Sequence, residues 1–124
     1  MNSPKEPEKK KERELYWMGD TKKELRQFPE DVVRLIGYAL HLAQNGLKHD
    51  KSKPFKGYPG VFEIVANDVS STYRALHALK IGKMIYVLHV FQKKSKSGIS
   101  TPKEELEKID ARFKAAKKRE EYNV

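Results

Sequence analysis

Three apolar runs joined by very short connections constrain this chain more than any other feature. Residues 61–66 read VFEIVA, residues 72–79 TYRALHAL and residues 84–91 MIYVLHVF. Each has the length and side-chain character of a strand. A turn at Asn67-Asp68 separates the first two, and Lys80-Ile81-Gly82-Lys83 separates the last two. Parallel strands need a crossover of roughly a dozen residues or more, so connections this short predict an antiparallel meander.

The segments around the meander supply helices and one further strand. Residues 14–18 (ELYWM) are short, aromatic and bounded by Gly19-Asp20, which suits a leading strand. Asp20 or Thr21 is placed to cap a short helix reaching Phe28. Pro29 then opens a longer one, because the first helical amide has no intrahelical partner to lose. Val32, Ile36, Ala39, Leu40, Ala43 and Leu47 form its apolar stripe, and Asn45-Gly46 ends it. Residues 48–60 read as a polar linker. Thr101-Pro102-Lys103-Glu104 is a capping-box pattern opening a last helix, with Leu106, Ile109, Phe113 and Ala116 as a narrow seam.

These elements predict an α+β fold: a twisted antiparallel sheet, N-terminal helices packed on one face, and a C-terminal helix. With 124 residues, a second independent core does not fit. Residues 1–13 are mostly Lys and Glu with two prolines and are expected to be a flexible charged tail. A single domain is expected over residues 14–119, and residues 120–124 are expected to form a C-terminal tail.

The charge narrows the partners. Lys and Arg number 26 against 17 Asp and Glu, a formal net charge of +9. Such a surface suits a polyanion: nucleic acid, an acidic protein or an anionic membrane surface. Its alternative is a solvated basic surface without a partner. No apolar run is long enough to span a bilayer, and the charged first residues do not read as a signal peptide. Cysteine is absent, which excludes disulfides and thiolate metal sites. A cytoplasmic location is expected.

Chemistry concentrates around one strand and one loop. Alternation puts Arg74, Leu76 and Ala78 on one face of their strand, with Tyr73, Ala75, His77 and Leu79 on the other. An arginine inside an apolar strand is costly if unpaired. Either it pairs with a carboxylate such as Glu63 on the neighbouring strand, or it binds an anion on an open face. Residues 92–103 (QKKSKSGISTPK) leave the last strand carrying Lys93, Lys94, Lys96 and Lys103 and end at a helix start that also attracts phosphate. Lys53 and Lys56 precede the meander and are placed to reach the same face. Converging cations suit RNA binding, and they suit cleavage, where charge builds on the phosphate. Of the four histidines, His89 is the best catalytic candidate because it lies near the lysine loop. No Asp, Glu and His cluster suggests a metal, and the serines lack a histidine–carboxylate set.

Taken in order, YWMGDTKKELRQFP, EDVVRLIGYALHLAQNG, KPFKGYPGVFEI, TYRALHAL and IYVLHVFQKKSKSGISTPKEELEKIDARFKAA closely resemble the phage-derived HigB-like branch of the RelE/ParE toxin superfamily. The resemblance covers about residues 14–119, and the ordered combination carries it rather than any single block. It implies a RelE-like fold and a type II toxin–antitoxin setting, with an antitoxin of the helix-turn-helix kind. It also implies a toxin that cleaves mRNA on the ribosome and so inhibits translation. The RNA 2′-hydroxyl attacks the adjacent phosphate, without metal or other cofactor. Arg74 matches the arginine of the family's YR strand motif, Lys93 and Lys94 the basic positions after the last strand, and Lys53 and Lys56 the KPxKG segment. The chain departs from the pattern at Glu63 and Val65, where many relatives carry lysines, and in having no tyrosine within residues 92–103. On this reading Arg74 and Lys94 stabilise the strained phosphate, Lys93 or His89 transfers protons, and Lys53, Lys56, Lys96 and Lys103 bind RNA. Two rivals stand beside it: a ParE-like gyrase inhibitor with the same fold, and a non-catalytic nucleic-acid-binding module.

Overall fold

The structure, a computed structural model, describes residues 12–93 and 100–122. Its elements are β1 (Leu15–Trp17), α1 (Thr21–Arg26), α2 (Glu30–Gln44), β2 (Ser52–Pro54), β3 (Val61–Asn67), β4 (Thr72–Ala78), β5 (Ile85–Lys93) and α3 (Lys103–Tyr122). They form one five-stranded sheet in the order β1-β5-β4-β3-β2. The α+β class and the antiparallel β3–β4–β5 meander are as the short connections predict.

Two features of the sheet differ from expectation. It is mixed, because β1 pairs with β5 in parallel, with Leu15 opposite Ile85 and Trp17 opposite Val87. Everything from α1 to β4 intervenes between the two strands, so no local turn rule predicts their direction. The polar linker also contains a strand: β2 runs antiparallel to β3, with Lys53 opposite Glu63. A Ser-Lys-Pro strand lacks apolar alternation, and Pro54 is tolerated because the strand is an edge.

The two faces of the sheet bury different helices. Ile36 and Leu40 of α2 pack with Leu25 of α1 and with Ile64, Ala75, Val87 and Val90 of the sheet. On the opposite face, Ile109, Phe113 and Ala116 of α3 pack with Leu76, Tyr86, Leu88 and Phe91. The expected alternation along β4 therefore holds. A bulge interrupts the β4–β5 register between Leu76 and His77. It lets Leu88 and its neighbour His89 both meet α3, one through the apolar cluster and the other through Glu105.

Helix boundaries shift slightly. Pro29 precedes the first residue of α2 in an extended conformation (ψ 146°), and Leu47, expected in the stripe, lies beyond the helix and is 61% exposed. Gly46 takes the positive φ of 75° that a helix end of this kind requires. At both chain ends the fold reaches further than expected. Arg13 belongs to it: its guanidinium donates to the carbonyls of Leu79, Met84 and Lys83, and its backbone N–H donates to Gln44. Residues 120–122 continue α3 rather than forming a tail, and Glu120 accepts a hydrogen bond from the Tyr86 hydroxyl. Both extensions are made by charged side chains bonding to distant groups, which apolar periodicity does not register.

Candidate functional site

The α3-facing side of β3, β4 and β5 gathers the charged residues level by level. Lys93 lies opposite Thr72, Phe91 opposite Arg74, and His89 opposite Leu76. Across the other seam, Val65 lies opposite Arg74 and Glu63 opposite Leu76, with Lys53 of β2 beyond Glu63. Side chains of paired residues share a face. Lys93, Arg74 and Lys53 thus mark three successive levels along one side of the sheet.

Arg74 adopts the paired arrangement. Its Nη1 donates to Glu63 Oε1 at 2.9 Å, and the two side chains are 9% and 4% exposed. Lys53 Nζ stands 3.8 Å from the same oxygen and is itself well exposed. Two buried atoms of the pair, Arg74 Nε and Glu63 Oε2, have no hydrogen-bond partner. A buried pair is worth its desolvation only when the remaining donors and acceptors are also met, so each unmet atom carries a cost. The pair thus retains one unmet N–H and one unmet carboxylate oxygen, both buried, with the exposed Lys53 ammonium next to Glu63.

Lys93 is also largely buried, and its ammonium donates to the Ser100 carbonyl at 2.7 Å. It borders a depression of about 300 Å³ lined with polar groups of the β3–β4 turn, among them Asn67, Ser70, Ser71 and Thr72. Lys94 and Lys96 lie outside the described residues. Lys56 is exposed in the turn after β2, and Lys103 is exposed at the first position of α3. Glu104 and Glu105 follow Lys103 in the same helical turn and offset the attraction of that helix start for an anion.

His89 has both ring nitrogens engaged. Arg112 Nη1 lies 3.0 Å from Nδ1 and also donates to the Leu88 carbonyl at 3.0 Å. Guanidinium groups only donate, so Nδ1 accepts and Nε2 carries the proton, which points at Glu105 Oε1 3.2 Å away. Burial lowers the imidazole pKa, Glu105 opposes that shift, and the charges of Arg112 and Lys108 add to it. The ring stacks on Phe91 at 5.5 Å. His89 therefore ties β5 to α3 as a neutral tautomer, and Phe91 places it one sheet level from Arg74.

Two participants stand out that the sequence marked weakly or not at all. Glu63 was foreseeable only as a partner for Arg74, from one acidic residue inside an apolar run. Arg112 had no assigned role, although Glu105 and Arg112 are seven residues apart and so share a helix face. Among the described residues, no three His, Asp or Glu side chains gather as a metal site requires.

The family model for phage-derived Gp49-like proteins (DUF891) matches residues 23–114, a range that runs from α1 well into α3 and includes Lys53, Glu63, Arg74, His89 and Lys93. A search of curated proteins returned no match. A match over most of the chain, in a fold whose meander carries the charged side chains just described, places this protein in the phage-derived Gp49-like family.

Proposed function

We propose that this protein is the toxin of a type II toxin–antitoxin pair, of the HigB-like branch of the RelE/ParE superfamily. It acts as a ribosome-dependent endoribonuclease that inhibits translation by cutting mRNA in the cytoplasm. Gp49-like proteins are toxin-like members of toxin–antitoxin systems, which supports the toxin role and an antitoxin partner. A helix-turn-helix antitoxin is the partner this reading expects. One observation carries the chemistry: the Arg74–Glu63 pair commits one guanidinium nitrogen to the carboxylate, with the exposed Lys53 ammonium beside it on the same side of the sheet.

In the proposed reaction the RNA 2′-oxygen bonds to the adjacent phosphorus and the bond to the 5′-oxygen breaks. Water takes the 2′-hydroxyl proton, and Lys93 returns one to the leaving 5′-oxygen. The products are a 2′,3′-cyclic phosphate and a 5′-hydroxyl. Arg74 donates through Nη2, the terminal nitrogen that the bond to Glu63 does not use, to a phosphate oxygen as charge grows there, with Lys53 beside it. His89 is better placed to hold Phe91 and the β5–α3 contact than to carry a proton, because neither nitrogen is open. Lys56 and Lys103 add exposed cations for the RNA strand, and Lys94 and Lys96 keep the phosphate- and RNA-binding roles that the sequence resemblance implies.

The test uses purified ribosomes with mRNA. Arg74→Lys keeps a charge next to Glu63 but loses the planar fork. Cleavage should fall by roughly 10²–10³, the usual cost of a lost transition-state donor. Arg74→Ala should abolish cleavage and growth inhibition. Full cleavage by a folded Arg74→Ala variant, or intact mRNA together with inhibited gyrase supercoiling by the native protein, would overturn the reading.

A further inference from the structure

A second cavity lies on the opposite side of the sheet from the Arg74–Glu63 pair, where the end of α2 passes over β3 and β4. It encloses about 200 Å³. Ala39, Ala43, Leu47, Phe62 and Leu79 supply apolar wall. His77 closes part of it, is 2% exposed and stacks on Phe62, and its Nδ1 has no hydrogen-bond partner.

The volume argues against a small-molecule cofactor, since such pockets usually run to about 300–1,000 Å³. A cavity of about 150 Å³ already accepts a benzene ring, so this one matches a single large side chain. The rim has one sign of charge. Arg13, Lys48 and His49 line it, and none of its described wall residues is acidic. Lys48 Nζ sits 5.7 Å from the Phe62 ring centre, which puts a cation directly at the apolar wall. Two large side chains are left in water nearby. Leu47 is 61% exposed at the rim, and Tyr38 is 56% exposed and packs edge-on against the rim residue His49.

We infer that this cavity is an anchor pocket for an acidic protein segment, which seats one aliphatic or aromatic side chain among Ala43, Phe62 and His77 while flanking carboxylates meet Lys48 and Arg13. Interface hot spots are usually side chains buried in apolar pockets that exclude water. Rim charges of this kind steer a partner of opposite sign. The partner is a protein rather than RNA, because a base entering the cavity would stack on Phe62 but press its polar edge groups against Ala39, Ala43, Leu47 and Leu79, whereas an aliphatic or aromatic side chain matches these walls. Its docking here would leave the Arg74 face uncovered, so it is independent of whether that face cleaves RNA.

The test titrates three peptides into isotopically labelled full-length protein and follows the His77, Leu79 and Ala43 resonances. The peptides are acetyl-Glu-Glu-Leu-Glu-Glu-amide, the same peptide with Ser for Leu, and acetyl-Lys-Lys-Leu-Lys-Lys-amide. The first should shift all three residues saturably, and the other two should not. Lys48→Glu, an exposed change that leaves the core alone, should weaken binding roughly tenfold. Ala43→Phe, which fills the cavity, should abolish the shifts in a protein whose amide spectrum is still dispersed. Equal shifts from the Ser peptide, unchanged affinity in Lys48→Glu, or movement of these resonances by a uridine oligonucleotide instead would each overturn the proposal.

Discussion

His77 and His89 occupy neighbouring strands and point to opposite faces, and their surroundings treat a proton differently. His89 has a carboxylate and a guanidinium as hydrogen-bond partners. His77 has a stacked Phe62 and an unmet Nδ1, and burial alone pulls its pKa down to about 4 from 6.5. The unfolded chain takes up this proton as pH falls below about 6.5, while the folded chain resists until about pH 4. Stability is therefore fully present above the unfolded value and declines across that window. The shift corresponds to about 3 kcal/mol lost by pH 4. His89, also lowered, adds to the decline in the same direction. Urea midpoints measured from pH 7.5 to 4.5 should fall for the native protein and fall distinctly less for His77→Leu. Parallel declines in the two proteins would mean that His77 is not protected from protonation.

At the scale of elements, α3 shows how much a helix can rest on few apolar contacts. Ile109, Phe113 and Ala116 are buried, whereas Leu106, foreseen in the same seam, is 37% exposed. Polar ties complete the docking. The Tyr58 hydroxyl donates to Asp110 at 2.9 Å, Arg112 reaches the Leu88 carbonyl, and Arg119 lies 4.0 Å over the Tyr16 ring and donates to the Tyr86 hydroxyl. Gly82 makes room for the far end, since a Cβ there would run into the Glu120 carboxylate and its φ of +61° disfavours other residues. Truncating Ile109 to Ala should cost about 2–5 kcal/mol in chemical denaturation. Leu106→Ala should cost well under half of that, and equal costs would contradict the seam as drawn.

The same helix separates what its sequence made legible from what it hid. Spacing gave the 109–113–116 seam, just as alternation gave the face of Arg74 and short turns gave the meander. The hidden part is long-range and polar. Arg112 finds a carbonyl 24 residues away, Arg13 finds carbonyls about 70 residues away, and β1 meets β5 across the same distance. Nothing periodic marks such pairs. The site divides along this line too. That Arg74 needs a partner was readable from its setting in an apolar strand, but whether Glu63 would hold it depended on a diagonal between strands that no spacing rule fixes.

For the whole molecule the net charge of +9 makes salt a probe of where the cations work. Binding of a single RNA strand loses affinity with salt at a logarithmic slope of roughly 0.7 for each phosphate neutralised. If the sheet face is the RNA site, Lys53 contributes one such contact because its ammonium is exposed beside the buried pair. Lys23 is a cation of the same type on α1, which packs against the other face of the sheet, and should contribute none. Fluorescence anisotropy with a labelled single-stranded oligoribonucleotide, across KCl from low to high, should give a slope reduced by roughly 0.7 for Lys53→Ala. The slope for Lys23→Ala should stay at the native value. Equal reductions in both variants would mean that RNA is held by diffuse charge over the whole surface, and the line through Lys93, Arg74 and Lys53 would lose its claim to be the track the strand follows.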